Sequence, residues 1–201
     1  MYSYKSMKQQ YLDLMEITKI RNSYAVIEHD IIERTKKNQL RYELVAATVG
    51  VPFPLIAAIH NKESSGKFTC NLHNGQPLNM VTTIVPKGKG PFATWEASAI
   101  DVMKMKRRLI DEVTETDGTM WSKQGMLWFA EKYNGMGYRS KHINSPYLWA
   151  GTTAYTKGGF PRDGHYDPEH VVKNIGVAVF IFDMQIETNH GVNFVEDFDD
   201  A

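Results

Sequence analysis

Ile56-Ala57-Ala58-Ile59-His60-Asn61-Lys62-Glu63-Ser64-Ser65-Gly66-Lys67-Phe68 is the stretch whose reading decides the fold. Pro54 suits the first position of a helix, because it brings no N–H to a turn that cannot use one. The spacing predicts a helix from Pro54 to about Ser64 with Leu55, Ile56 and Ile59 on its apolar face. One carboxyl, Glu63, stands at the end of that helix, and a serine-rich turn follows it directly. A carboxyl held against apolar surface is disfavoured as an anion and becomes a competent proton donor. The negative end of the helix dipole pushes the same way.

Helical period dominates outward from this point. Leu14, Met15, Ile20, Tyr24, Ile27 and Ile31 predict one long amphipathic helix beginning at Tyr11, with a break near residues 36–38. Leu40 to Val49 reads as a second helix, ended by Gly50 and barred from continuing by Pro52. Residues 68–85 carry turn formers between short apolar runs, which predicts a small β-hairpin or irregular lobe. Thr94 caps a helix from Trp95 to about Val113, with Glu96 in its first turn. A further helix runs from about Met120 to Asn134, stopped by Gly135 and Gly137. Residues 138–166 read as a long ordered loop, a length that tends to be functional. Asp167-Pro168-Glu169 reads as the start of a last helix reaching His190. The expected fold is mainly α, with one small β-hairpin or irregular lobe.

With 201 residues, one domain is expected: a helical part over 1–50 and a core over 51–195. Hydrophobic residues at 42% and charged residues at 23% match a globular chain and exclude collagen, coiled coil and disorder. Lys+Arg 23 against Asp+Glu 23 argues against a nucleic-acid binder. The best apolar run, Val177 to Phe182, falls far short of the ~20 residues of a membrane span, so no stable insertion is expected. MYSYKSMKQQ lacks the apolar region of a secretory signal, and the single Cys70 permits no internal disulfide; both point to cytoplasmic synthesis. Between Ser64 and Trp95 there is no acid but there are three lysines, Lys67, Lys87 and Lys89, a surface suited to an anionic substrate.

A second segment bears on the chemistry. Trp128-Phe129-Ala130-Glu131-Lys132-Tyr133-Asn134-Gly135-Met136-Gly137-Tyr138 ends a helix in a Tyr-Asn-Gly turn. Together with Ile59 to Phe68 it resembles the lysozyme-like superfamily of goose-type lysozymes and soluble lytic transglycosylases. There, one helix ends in the catalytic Glu-Ser and a later one ends in Tyr-Asn-(Ala/Gly)-Gly. Ser145-Pro146-Tyr147-Leu148-Trp149-Ala150-Gly151-Thr152 is similar to phage and bacterial lysozyme-family proteins. The resemblance covers roughly residues 51–179 and lacks the usual Gly-x-x-Gln segment, whose space Thr94-Trp95 is expected to fill.

This resemblance implies a peptidoglycan-degrading glycosidase, of endolysin or virion-lysozyme type, cleaving the MurNAc-β-1,4-GlcNAc bond of glycan strands. Glu63 would be the general acid and Ser64 its orienting neighbour. Tyr133 and Asn134 would lie near the carboxyl or the scissile sugar. Asn71, in the lobe after Glu63, joins the substrate-binding set. Trp95, Tyr138, Tyr147 and Trp149 offer flat faces for stacking on sugars. No cofactor and no metal are expected. The N-terminal helix is a candidate contact for other virion proteins.

A second acid decides the mechanism. Retaining glycosidases hold one about 5–5.5 Å from the acid and inverting ones about 6.5–9.5 Å. None lies between Ser64 and Trp95, so three routes stay open. Glu96 or, less directly, Asp101 holds a water; uncharged groups hold it; or the substrate's N-acetyl group acts, giving the anhydro product of a transglycosylase. Other chemistries fit less well. His165 and His170 straddle Pro168 and share no helix face, and there is no HExxH or cysteine pair for zinc. Cys70 with His73 is a weak thiol-amidase pattern, a lone cysteine being more often a small buried residue. The run Lys104–Arg108 reads as a solvated helix face. A non-catalytic wall-binding protein on the same scaffold is the alternative from a different class.

Overall fold

The computed structural model describes residues 2–162 and 164–184 and the backbone of 194–195. The chain is mainly helical with small β elements, as its period predicts. It folds as two compact units, one formed by 1–32 with 123–201 and the other by 33–122.

The first unit opens with α1 (Tyr4–Ile17), capped by Ser3, whose hydroxyl accepts from the Ser6 N–H. The single long helix expected from Tyr11 onward is in fact interrupted. Residues 18–24 leave the helix, and α2 (Ala25–Lys37) begins after them. Tertiary pairing overrides period here. Strand β1 (Ile20–Arg21) is extended, its Arg21 N–H donates to the Gly151 carbonyl, and the Thr153 N–H donates to that of Lys19. α7 (Lys123–Asn134) buries Gly125 to Glu131 continuously and packs on α1, α8 (Pro146–Trp149) and α9 (Val177–Asp183). Burial of each large apolar side chain in this stack contributes roughly 1.5–3 kcal/mol.

Two further expectations change in this unit. The region read as loop contains a 3-10 turn over Gly137–Lys141, α8, and the antiparallel pair β2 (Gly159–Arg162) and β3 (His165–Asp167). The last helix starts at Val177, not at Asp167; its expected end, 185–190, lies outside the described residues. Asp167 does cap, but its carboxylate accepts from Glu169 N–H within a turn that no helix follows. The true start is Gly176, whose N–H donates to Ala150 O. A Cβ at Gly176 would collide with the Leu148 carbonyl group, so only glycine lets the chain enter the helix there.

The second unit stacks α3 (Gln39–Val49) on α4 (Phe53–Ser64) and on α5 (Trp95–Met105). α3 ends at Gly50 with φ +71°, as expected. Pro52 precedes α4 and Pro54 lies in its first turn. The helix after Thr94 is two helices: α5 breaks at Lys106, and α6 (Arg107–Asp117) continues. The Thr94 cap holds, its hydroxyl accepting from Ala97 N–H. Residues 65–94 form no strand ladder, only an isolated bridge of Cys70 with Pro77. Side chains replace the expected hairpin: the Gln76 amide oxygen accepts from the Thr83 and Ile84 N–H groups, and the Thr82 hydroxyl donates to Pro86 O.

Candidate active site

In the second unit, α4 buries every residue from Pro54 to His60, then surfaces over its last turn, where Glu63 and Ser64 are half-buried. Ser65, in the left-handed region at φ 54°, ends the helix. Its N–H donates to Asn61 O, the Gly66 N–H to His60 O, and the Ser64 hydroxyl also to His60 O. Two of the last carbonyls of the helix, those of His60 and Asn61, are thus satisfied by donors from the turn that ends it. The lobe then returns on this end. Gly75, at φ +75°, approaches so closely that a Cβ there would be 2.7 Å from the Glu63 carbonyl oxygen. The Glu63 backbone is therefore fixed by its helix on one side and by the lobe on the other.

Cations surround the same turn. Arg34 Nη2 donates to Asn61 Oδ1 at 3.1 Å, and its guanidinium lies against Gly66. Burial pushes the Lys62 ammonium down to about 8, while the charge of Glu63 pulls it back up. Behind the turn lies an aromatic cluster. His60, Tyr42, Phe68 and Trp95 have ring centroids 4.5 to 5.8 Å apart. Tyr42 Oη and His60 Nδ1 are 2.9 Å apart, and burial pushes His60 down to about 4, so the imidazole is neutral. Trp95 is wholly buried here and packs with three rings, so it serves the core and has no face for a sugar.

The two acids weighed as partners for Glu63 are both engaged. Arg41 Nε donates to Glu96 Oε1 at 2.5 Å, and this hydrogen bond holds the Glu96 carboxyl below the usual range against the opposing effect of burial. Arg41 also stacks 3.8 Å from the centre of the Phe68 ring. For Asp101, burial works upward, but hydrogen bonds with His73 Nε2 at 2.8 Å and Lys89 Nζ at 3.0 Å outweigh it and keep the carboxyl low. Ser98, His73 and Asp101 form a Ser-His-Asp series, Ser98 Oγ lying 3.4 Å from His73 Nδ1. Ser98 is wholly buried and accepts from Leu72 N–H, so it reaches no substrate as a nucleophile. Asn71 is also wholly buried. Its amide donates to Gln76 O, and its carbonyl accepts from the His73 and Asn74 N–H groups, which makes it the organiser of the turn.

The remaining sequence-selected residues belong to the first unit. α7 ends in half-buried Tyr133 and exposed Asn134, and Gly135 then turns the chain at φ +106°. Asn134 and Tyr138 line one hollow of about 480 Å³ together with Phe160, whose ring meets that of Tyr138 edge-on at 5.1 Å. Tyr147 and Trp149 are 8% and 2% exposed and fill the core through α8. One cluster was not singled out from sequence. Glu131, 3% exposed, accepts from the Tyr11 hydroxyl at 2.5 Å and from Arg139 Nη2 at 2.7 Å. A signal existed: a carboxylate that directly follows the apolar run 126–130 on the same helix has to find a partner.

Comparison of the chain with protein-family models, curated proteins and solved structures found no match.

Proposed function

We propose that this chain is a peptidoglycan-degrading glycosidase that cleaves the MurNAc-β-1,4-GlcNAc bond with Glu63 as general acid. The observation that supports this most is the end of α4, where a half-buried carboxyl is fixed between its own helix and Gly75, next to a lobe without acids. Such fixation places a proton donor against a leaving oxygen and is where acid catalysis gains its ~10²–10⁴-fold. Within the first unit, the hollow holding Asn134 and Tyr138 has amide and aromatic surface of the kind a sugar ring uses. Action on the bacterial wall follows from this reading, and contact of α1 with virion proteins belongs to the same proposal.

The engagement of Glu96 and Asp101 favours a mechanism with one acid. Glu63 gives its proton to the glycosidic oxygen, the C1–O bond breaks, and the substrate's acetamido oxygen bonds to C1. The Glu63 carboxylate then takes a proton from the attacking hydroxyl, whose oxygen bonds to C1 as the bond from C1 to the acetamido oxygen breaks and the acetamido group is restored. If that hydroxyl is the sugar's own O6, the product is the 1,6-anhydro sugar of a lytic transglycosylase; if it is water, the product is a reducing end. Mass spectrometry of the products from purified peptidoglycan separates the two. The one-acid reading expects the anhydro form or a reducing end of retained configuration; an inverted reducing end, read by proton NMR of the fresh product, would return Glu96 or Asp101 to the reaction.

A further inference from the structure

We propose that the tip of the lobe in the second unit, formed by Ile84, Val85 and Lys87, docks on the surface of an anionic lipid bilayer. The lobe over 65–94 lies entirely within this unit and follows the Glu63 end of α4 directly. At its tip Ile84 and Val85 are 53% and 80% exposed, and Met80 and Val81 just before them are exposed too. Single apolar residues on a surface are ordinary, but four within the six positions 80–85 mark a contact face.

The tip is built to leave water. A segment that enters an apolar phase must find partners for its backbone N–H and C=O groups within the protein. Gln76 Oε1 accepts from the Thr83 N–H at 2.9 Å and from the Ile84 N–H at 3.3 Å. Asn74 Nδ2 donates to Ile84 O at 3.1 Å and to Val85 O at 3.5 Å. Buried Thr82 closes the loop from inside: its hydroxyl donates to Pro86 O and accepts from the Lys89 N–H, and its carbonyl accepts from the Gly88 N–H. Pro86 itself brings no N–H. Side chains at the base of the lobe thus engage the backbone of the tip, while the side chains of Ile84 and Val85 are left exposed.

Charge selects the occupant. Lys67 and Lys87 are exposed, and no acid lies between Ser64 and Trp95. Asp101, which reaches the lobe from α5, is offset by Lys89 Nζ at 3.0 Å and bonded to His73 Nε2 at 2.8 Å. Apolar side chains beside lysines match a bilayer interface, where area buried at the acyl boundary and attraction to anionic headgroups add. Four side chains are few against the about 20–30 residues that a stable protein interface engages on each side. A soluble anionic polymer would answer the lysines but would offer Ile84 and Val85 no apolar phase. The inference uses neither the Glu63 carboxyl nor a sugar and stands independently of the glycosidase reading.

The test is co-sedimentation of the full-length chain with vesicles of phosphatidylcholine alone or of phosphatidylglycerol and phosphatidylcholine in equal parts. The expected result is saturable binding to the anionic vesicles that weakens as salt is raised, with binding to the neutral ones weaker by about tenfold or more. Ile84→Ser combined with Val85→Ser leaves the backbone bonds of the tip in place and should weaken binding by about tenfold or more. Lys87→Gln should weaken it about fivefold. Both changes fall on exposed side chains, so circular dichroism and melting temperature should match the wild type. No binding to anionic vesicles, equal binding to both kinds, or unchanged affinity in the double variant would overturn the proposal. Displacement from the vesicles by soluble glycerol phosphate would reassign the lysines to free phosphate and overturn it as well. So would a wild-type dimer in sedimentation velocity that the double variant abolishes, which would give the tip to a second copy of the chain.

Discussion

Arg41 Nε and Glu96 Oε1 meet at 2.5 Å, and this single contact engages the acid that sequence offered first as a partner for Glu63. Glu96→Gln is therefore expected to cost about 1–2 kcal/mol of stability, as for a hydrogen bond between charged groups. The folded carboxyl is held low by Arg41, so its contribution is complete above the unfolded carboxylate range and disappears as pH falls through the lower folded value. Thermal unfolding of the variant and wild type from pH 2 to 7 checks this. Lytic rate per folded molecule should stay within about twofold, since acid catalysis lost outright costs at least ~10².

Two buried acid–base groups oppose each other in the pH profile. Burial pushes His60 down to about 4. Between there and its unfolded value near ~6.5 the unfolded chain binds the extra proton, so His60 makes stability rise with pH. Glu28, 4% exposed, is pushed up to about 7 by burial and then by Asp183. Between its unfolded value near ~4.3 and that point the folded chain binds the proton, so Glu28 makes stability fall as pH rises. These two contributions oppose each other across this window. Glu28→Gln should gain on the order of 2 kcal/mol at pH 8 and nothing at pH 4, as measured by denaturant unfolding. An equal gain at both pH values would exclude the buried charge as its cause.

Glycines at two close approaches should tolerate no side chain. Gly75→Ala combines a positive φ with a contact 2.7 Å from Glu63 O. It should cost about 1–3 kcal/mol and also displace the α4 terminus, lowering lytic rate as well as stability. Gly176→Ala would drive its Cβ into the Leu148 backbone and should cost about 3 kcal/mol or more without specific effect on the Glu63 end. Calorimetry with a lytic assay on the folded fraction distinguishes the two.

Glu131→Gln leaves the largely buried Arg139 without its carboxylate. Breaking such a pair costs about 3–5 kcal/mol, which for a chain of this size lowers Tm by roughly 10 °C. Tyr11→Phe removes the hydrogen bond donated to Glu131 and the one accepted from Arg139 but leaves the ion pair, and should cost about 2 kcal/mol. Equal melting temperatures for the two variants would refute the ranking.

Much of the helix pattern was legible because local signals and packing agree. Gly50, Pro54 and Thr94 each act where their backbone chemistry says they should. Illegible features were those decided at long range. The break after Ile17 exists because residues 19–21 pair with residues 151–153, more than a hundred positions away. The start of α9 is set by the Leu148 backbone pressing on Gly176, which no period encodes. At the site, Glu63 was visible from its place at the end of an apolar helix. Sequence could not tell that Trp95, Tyr147 and Trp149 spend their rings in the core, because core and sugar-stacking aromatics share one composition. Nor could it show Arg41 reaching Glu96 from 55 residues away.

The most direct measurement of the central claim is the rate of release of soluble muropeptides from purified peptidoglycan by wild type and Glu63→Gln, compared at equal folded concentration. Glu63→Gln keeps the shape of the side chain and removes its titrating proton. The account predicts release by wild type and a fall of at least about 100-fold in the variant. Release by the variant at a third of the wild-type rate, or intact glycan with the wild type, would contradict it.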